Sequence, residues 1–338
     1  MSEQSLYEQL TMQIGAPPSE RIHNLLKMLC NEEEAGLLLQ MPATLEELSE
    51  KSGLAAEKLE PMLHELFRRG VVFERIKEGS LKYYRPRNLI QFHDATILWP
   101  EAPPEFLVLW QDFMDDEYVQ LSQMIADMDL APMTRVIPVE QAMEGGGSKV
   151  LPFDSAMGIV ENADRLAVTK CTCRLTAKKC DSPLEVCIQL DRAADYALKR
   201  GTGKKVSKEE AREVLRKSAE AGLVHVTDNR AANGHIICNC CSCCCIVLPV
   251  ILRTKKRVLL APSRFFPTVN AELCTLCSIC VENCPVEALS LTDNGGEEPL
   301  TVNKDLCLGC GQCAFHCPED AIAMDEVRNP EFIPGAPA

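Results

Sequence analysis

The 338-residue chain contains no G-x-G-x-x-G, no P-loop and no nucleophile elbow, so no dinucleotide, nucleotide or acyl-transfer site is marked by motif. It also lacks a long apolar run. The longest, "CCCIVLPVIL" at residues 243–252, falls far short of the ~20 residues that a bilayer span needs. The opening residues, "MSEQSLYEQL", are polar and acidic, unlike a signal peptide, so a cytoplasmic protein with no membrane span is expected. Positive charge is scarce: 35 Lys and Arg stand against 49 Asp and Glu, a net charge of -14. An acidic whole argues against general nucleic-acid binding.

The charge is also uneven. Residues 1–150 carry 13 basic and 25 acidic side chains, residues 151–261 carry 19 and 12, and residues 262–338 carry 3 and 12. Such shifts suggest units with different partners. The residue in excess is cysteine, at 19, an odd number that falls in tight clusters. In a reducing compartment, clustered thiols point to metal or catalysis rather than to a disulfide framework.

Two segments repeat at an offset of 33 residues: "VNAELCTLCSICVENCPVEALSL" from Val269 and "VNKDLCLGCGQCAFHCPEDAIAM" from Val302. Each contains C-x2-C-x2-C-x3-C-P, with Pro285 and Pro318 following the last cysteine. Three thiolates at this spacing can wrap one cubane, while the fourth points to a neighbouring cluster. On that pattern Cys274, Cys277, Cys280 and Cys317 hold one 4Fe-4S cluster, and Cys307, Cys310, Cys313 and Cys284 hold the other. Zinc prefers C-x2-C pairs separated by a longer gap. Residues 265–328 resemble the bacterial dicluster ferredoxin family. The resemblance implies a small pseudo-twofold fold of short strands and helices, and electron transfer as its work. Leu276, Ile279, Val281, Ala314 and Phe315 are candidates to shield the clusters, or to be ordinary core.

Ten more cysteines lie between residues 171 and 245. The first group, "CTCRLTAKKCDSPLEVC", holds Cys171, Cys173, Cys180 and Cys187. The second, "CNCCSCCC", holds Cys238, Cys240, Cys241, Cys243, Cys244 and Cys245. Between them, Ser207 and Glu210 form a capping-box pattern ahead of a helix that Gly222 ends. A second helix is expected over "PLEVCIQLDRAADYALKRG", so a helical hairpin would bring the two groups together. In either a helix or an extended loop, adjacent thiols diverge, so six in eight positions cannot serve one four-ligand site. At least one additional iron–sulfur cluster with thiolates from both groups is expected. A four-thiolate zinc site and plain core packing are the alternatives. Lys170, Arg174, Lys178 and Lys179 surround the first group, and "RTKKR" at 253–257 follows the second. They read as a solvated face, or as charge that offsets thiolates or binds an acidic partner. His225 reads as a hydrogen-bonded structural residue in preference to a ligand. The combination "CTCR … C … C … GLVH … N … ICNCC" with the repeat resembles a group of anaerobe iron–sulfur proteins, implying redox work under low oxygen.

Residues 20–90 carry a different signature. "RIHNLLKMLC" and "EEEAGLLLQMP" read as helices, and "TLEELSEKSGLAAEKLEPMLHELFRRG" as helix–turn–helix with Gly53 in the turn. "VVFERIKEGSLKYYRPR" alternates as a hairpin. This resembles the winged-helix family of bacterial regulators. Residues 21–90 hold 11 basic and 11 acidic groups, so the DNA binding implied by that resemblance is disfavoured. A partner-docking or dimerisation module, and with it a homodimer, fits better.

The expected fold is α+β and multidomain: a winged-helix-like domain (1–95), a helical connector (96–148) ending at the joint "EGGGS", a mainly helical cysteine-rich domain (149–262) and a dicluster ferredoxin domain (263–338). The expected function is low-potential electron relay to redox partner proteins within a larger oxidoreductase. The rivals are a redox-sensing winged-helix regulator and a reductase working at the middle cluster.

Overall fold

The computed structural model describes residues 4–128, 130–144, 149–257, 259–292 and 299–336. The "GGGS" of the expected joint, residues 145–148, lies outside them. The chain is mixed helix and sheet and divides into two compact units. The described residues up to Leu121, with Leu175–Ala177 and Leu198–Thr202, form the first. Ser122–Arg174, Lys178–Ala197 and the described residues from Gly203 onward form the second. Among the described residues no helix is long and apolar enough to cross a membrane.

In the first unit, helices α1 (Leu6–Gln13), α2 (Glu20–Leu29), α3 (Glu32–Leu39), α4 (Leu45–Ser52) and α5 (Ala56–Arg69) precede the hairpin β1 (Phe73–Lys77) and β2 (Ser80–Tyr84). The helix starts are written in the sequence. Asn31 with Glu34, and Thr44 with Glu47, close reciprocal capping boxes, satisfying amide donors that the first turn leaves free. Gly53 ends α4 in the left-handed conformation. Then come α6 (Leu89–Ile97) and α7 (Pro104–Asp115); α8 (Glu117–Asp127) begins in this unit and ends in the second. Trp110 is fully buried against Phe92 and Phe113, and its indole N–H donates to the Thr96 hydroxyl at 3.2 Å.

The second unit departs from expectation: its cysteine-rich part is built on a sheet, not mainly on helices. The strands are β3 (Thr134–Ile137), β4 (Leu166–Lys170), β5 (Glu185–Leu190), β6 (Gly203–Lys205), β7 (Val224–Asp228), β8 (Ile236–Cys240) and β9 (Leu260–Ala261). They lie in the order β6-β4-β5-β8-β7-β3-β9, antiparallel except for β3 with β9. The helix expected across "PLEVCIQLDRAADYALKRG" is strand β5 as far as Leu190. Asp191 then turns at φ 50°, and a helix follows from Arg192 to Lys199. The strands were hidden because both faces of the sheet are covered. Val186, Cys187 and Ile188 are all buried, so the run lacks the in–out alternation that marks a half-exposed strand.

One face of the sheet carries Ile137, Val168, Ile188 and Ile237 against helices Ala156–Glu161 and Lys208–Glu220. The latter starts at the Ser207–Glu210 capping box. The other face carries Val136, Val224, Val226, Cys238 and Cys240, and packs against Leu248 and Ile251 and against Val286, Ala288, Leu306 and Leu308 from the C-terminal segment. Alternation along β8 thus sends Ile237 to one face and Cys238 and Cys240 to the other. Two more antiparallel pairs complete the unit: β10 (Phe265–Val269) with β13 (Ile322–Glu326), and β11 (Leu289–Leu291) with β12 (Leu300–Val302).

Candidate metal centres

The C-terminal cysteines sort into two clefts. Cys274, Cys277, Cys280 and Cys317 line one of about 380 Å³, and Cys284, Cys307, Cys310 and Cys313 line another of about 330 Å³. Each cleft therefore draws three thiols from one copy of the repeat and the fourth from the other. The backbone supplies donors to sulfur at matching places. Ala288 N–H points to Cys284 Sγ at 3.2 Å, Ala321 N–H to Cys317 Sγ at 3.3 Å, and Gly309 N–H to Cys307 Sγ at 3.4 Å. Burial pushes the Cys310 thiol up to about 12 and raises Cys307, Cys313 and Cys280 as well. Converging thiols that burial keeps protonated, yet that receive N–H donors, fit a positively charged iron core, which would hold them as thiolates. Residues 273–329 match the family model of the 4Fe-4S dicluster domain.

The C-terminal segment is a 4Fe-4S dicluster domain. The chain matches no curated protein and no solved structure. The two clefts of the dicluster domain differ in cover. Cys277 and Leu276 beside the first are exposed, whereas Leu308 in the second is buried. Of the apolar residues between the cysteines, Ala314 is buried, while Ile279, Val281 and Phe315 are half-buried. The second loop is tied to its surroundings: Ser263 N–H donates to Leu308 O at 2.9 Å, Val139 N–H to Cys310 O at 2.9 Å, and Gln312 Nε2 to Leu223 O at 2.8 Å. Arg257, in the "RTKKR" stretch, donates to Cys307 O at 3.0 Å.

Apart from Cys30, buried in the first unit, the other ten cysteines form two sets that cut across their order in the chain. Pairing of β5 with β8 sets Cys187 beside Cys238, since Ile188 lies opposite Ile237. Cys171, at the end of β4, bonds to Cys173 and Cys187. Cys187 bonds on to Cys238, and Cys240 bonds to both Cys238 and Cys245. This is a continuous string of six thiols. Hydrogen bonds from Cys173 and Cys187 hold Cys171 below the ordinary thiol range, and the bond from Cys240 does the same for Cys245. Their partners Cys187 and Cys240 are pushed above it.

Cys180, Cys241, Cys243 and Cys244 form the other set, their sulfurs all within 4.8 Å of one another. Burial raises the Cys180 thiol, but hydrogen bonds with Ser182, Cys243 and Cys244 outweigh it and bring it to about 7. The neighbours Cys240 and Cys241, and again Cys244 and Cys245, thus part to opposite sets.

Between the sets sits Arg174. Among the surrounding positive residues, Lys170, Lys178 and Lys179 are exposed, but Arg174 is only 3% exposed and belongs to no solvated face. Its Nη2 donates to Asn239 O at 2.7 Å, while its Nε and Nη1 are buried without a hydrogen-bond partner. Burial disfavours its charge, but Cys171, Cys241, Cys187 and Cys240 outweigh that and strengthen it. A buried guanidinium with two free donors among thiols fits an anionic centre. Composition could not single out Arg174 from the lysines beside it, because only the fold buries it. His225 is buried with Nδ1 2.5 Å from the Asn239 side-chain oxygen, and Asn239 donates to Val186 O. That pair braces β7 against β8.

Proposed function

We propose that this chain is a multi-centre iron–sulfur electron-transfer protein, a relay component of a larger anaerobic oxidoreductase system. The observation that carries the reading is a single apolar core packed by two thiol sets. Cys238, Cys240 and Cys245 on the sheet and Cys284, Cys307 and Cys310 of the dicluster domain pack against the same buried residues, among them Val286, Leu306 and Leu308. When bound, the clusters exchange single electrons. The chain contributes the shared apolar core between them, and hydrogen bonds to sulfur that tune the potentials.

In this reading Cys274, Cys277, Cys280 and Cys317 hold the first cluster, on the side where Cys277 and Leu276 are exposed and a partner can approach. Cys284, Cys307, Cys310 and Cys313 hold the second. A third draws its ligands from the string Cys171, Cys173, Cys187, Cys238, Cys240 and Cys245. Arg174 offsets its negative charge. The acidic balance of residues 262–338 favours a basic redox partner and steers its encounter.

The N-terminal helices and hairpin act here as a winged-helix-like docking module. Three of the basic side chains that DNA could use are paired with acids: Lys58 with Glu33 at 2.6 Å, Arg69 with Glu34 at 3.5 Å, and Arg68 with Glu101. That weighs against the redox-sensing regulator.

The test is acid-labile sulfide and iron per chain, with EPR, on full-length protein prepared without oxygen. Three cubanes require about twelve sulfides. A double Cys187→Ser, Cys238→Ser variant should fall to about eight with the dicluster EPR signals retained. Wild-type protein with only about eight sulfides would remove the third cluster and confine redox work to the dicluster domain.

A further inference from the structure

We propose that Cys180, Cys241, Cys243 and Cys244 hold a single tetrahedral metal ion without inorganic sulfide, a centre separate from every iron–sulfur cluster of the chain. The sulfurs define the geometry. Cys180 Sγ lies 3.8 Å from Cys241 Sγ and 3.8 Å from Cys244 Sγ, and Cys243 Sγ lies 3.7 Å from Cys244 Sγ. A tetrahedron with metal–sulfur bonds of about 2.3 Å has edges of about 3.8 Å. These three edges match those of one MS4 unit, and the remaining sulfur pairs also lie within 4.8 Å.

Larger clusters do not fit these sulfurs. In a cubane each thiolate binds a different iron, so sulfide and metal stand between the cysteines. In a two-iron cluster at least one pair of thiolates spans both irons. Neither leaves all four sulfurs within 4.8 Å. Among the described residues no other group of three or more ligating side chains is this tight. The six-thiol string is more open, as a polynuclear centre requires. A disulfide needs sulfurs about 2 Å apart. Packing gives no reason for the arrangement, since Cys243 is exposed and Cys180 half-exposed.

The chain is shaped for such a site. Cys241 leaves β8, and residues 242–244 make a tight turn before the helix Leu248–Thr254, so Cys243 and Cys244 fold back beside Cys241. Lys178, in the left-handed conformation, turns the other segment so that Cys180 closes the set. Backbone contacts from Ser182 to Cys180 and from Lys179 to Cys244 support the sulfurs. A divalent ion replacing four thiol protons leaves a net charge of 2-, which Arg174 offsets from within and Lys178 and Lys179 from solvent. Zinc and ferrous iron share this chemistry.

The site uses none of the six thiols assigned to the third cluster, so the two readings fail separately. The experiment compares full-length wild type with a double Cys243→Ser, Cys244→Ser variant, both prepared without oxygen. Wild type should contain one zinc, or one iron in excess of sulfide. X-ray absorption at a zinc edge should show four sulfur neighbours at about 2.3 Å and no second metal nearby. The variant should lose that one ion and keep its sulfide and its dicluster EPR signals. Loss of about four irons with four sulfides would overturn the proposal in favour of a cubane, and unchanged metal content would overturn it outright. Should the double variant not fold, Cys243→Ser alone changes the exposed ligand. It should release the ion to a chelator about tenfold faster or more, and an unchanged release rate would count against the site.

Discussion

At Leu276 and Gly309 the two copies of the cysteine loop turn through the same left-handed backbone, with φ of 57° and 63°. They do so again at Ser278 and Gly311, at 64° and 77°, and at Glu287 and Asp320, at 53° and 48°. The path of the loop is common to both copies, whatever residue stands on it. The surroundings differ. Leu276 is 41% exposed and Ser278 half-buried, and a side chain there bears a left-handed strain of about 1–2 kcal/mol with little else against it. Gly309 and Gly311 are buried. A β-carbon at Gly309 would collide with the Phe265 carbonyl and the Ser263 hydroxyl, and one at Gly311 would lie 2.9 Å from the Ala142 side chain. Glycine in the second copy thus answers to packing as well as to backbone. One motif supplies an open loop beside solvent and a closed loop built into the core that also holds the sheet cysteines.

The largest effect should come from giving the closed loop the residue of the open one. Gly309→Leu adds a collision with main chain to the left-handed strain, a cost above about 4 kcal/mol. Anaerobic iron analysis should find the second cluster missing. Retention of all dicluster iron would break the comparison. Next in size is Arg264, at the start of the strand that packs on the closed loop. Its side chain is fully buried, bonded bidentately to Asp154 and singly to Glu326 at 2.5 Å. Arg264→Leu strips the buried Asp154 carboxylate of its bidentate partner and should destabilise by about 3–4 kcal/mol, read by anaerobic thermal unfolding. Gly311→Ser, again borrowing from the open copy, meets the Ala142 β-carbon at 2.9 Å, a contact less severe than the main-chain collision at Gly309 but one that the Ala142 backbone must move to relieve. About 1–3 kcal/mol is expected, with the cluster retained.

How much of this was legible in the sequence follows the range of each signal. The eight dicluster cysteines were legible because their spacing is local: within ten or eleven residues it states which thiols can wrap one cluster. Gly53 and the Ser207–Glu210 pair were legible because a cap is a contact over three residues. The sheet was not. Val186, Cys187 and Ile188 are buried on both sides, so the period of two was absent. A cysteine in such a run reads as a ligand sooner than as a strand residue. Sorting ten thiols into a string of six and a set of four depends on Cys187 lying across from Cys238, a pairing over 50 residues that no local pattern states. The burial of Arg174 is likewise a property of β8, whose Asn239 carbonyl receives its one hydrogen bond.

That guanidinium extends the comparison from the two loops to the two kinds of site. Arg174 stands among sheet thiols. Arg174→Gln removes a buried positive charge and should favour the oxidised, less negative state of a centre held there. The effect is on the order of 1 kcal/mol, a potential lower by roughly 40 mV for a one-electron couple. Redox titration followed by EPR should show that shift on the sheet centre, with the dicluster potentials unmoved. A uniform shift of all centres would mean that the charge acts on the whole unit.

The smallest effect tests the open loop from the other side. Leu276→Gly removes left-handed strain of about 1–2 kcal/mol, which favours the folded chain. It also frees the unfolded chain, which opposes folding by about 0.5–1 kcal/mol. The leucine, 41% exposed, also gives up some buried apolar area, which opposes folding too. The terms nearly cancel, so the unfolding free energy should move by less than about 1 kcal/mol, with the iron content unchanged. The rate of electron exchange with an external donor should be the more sensitive readout, because the change strips an apolar side chain from the cleft of Cys274 and Cys277. If Leu276→Gly instead lost the first cluster, the exposed loop would be as tightly determined as the buried one, and burial would no longer explain why only one copy carries glycine.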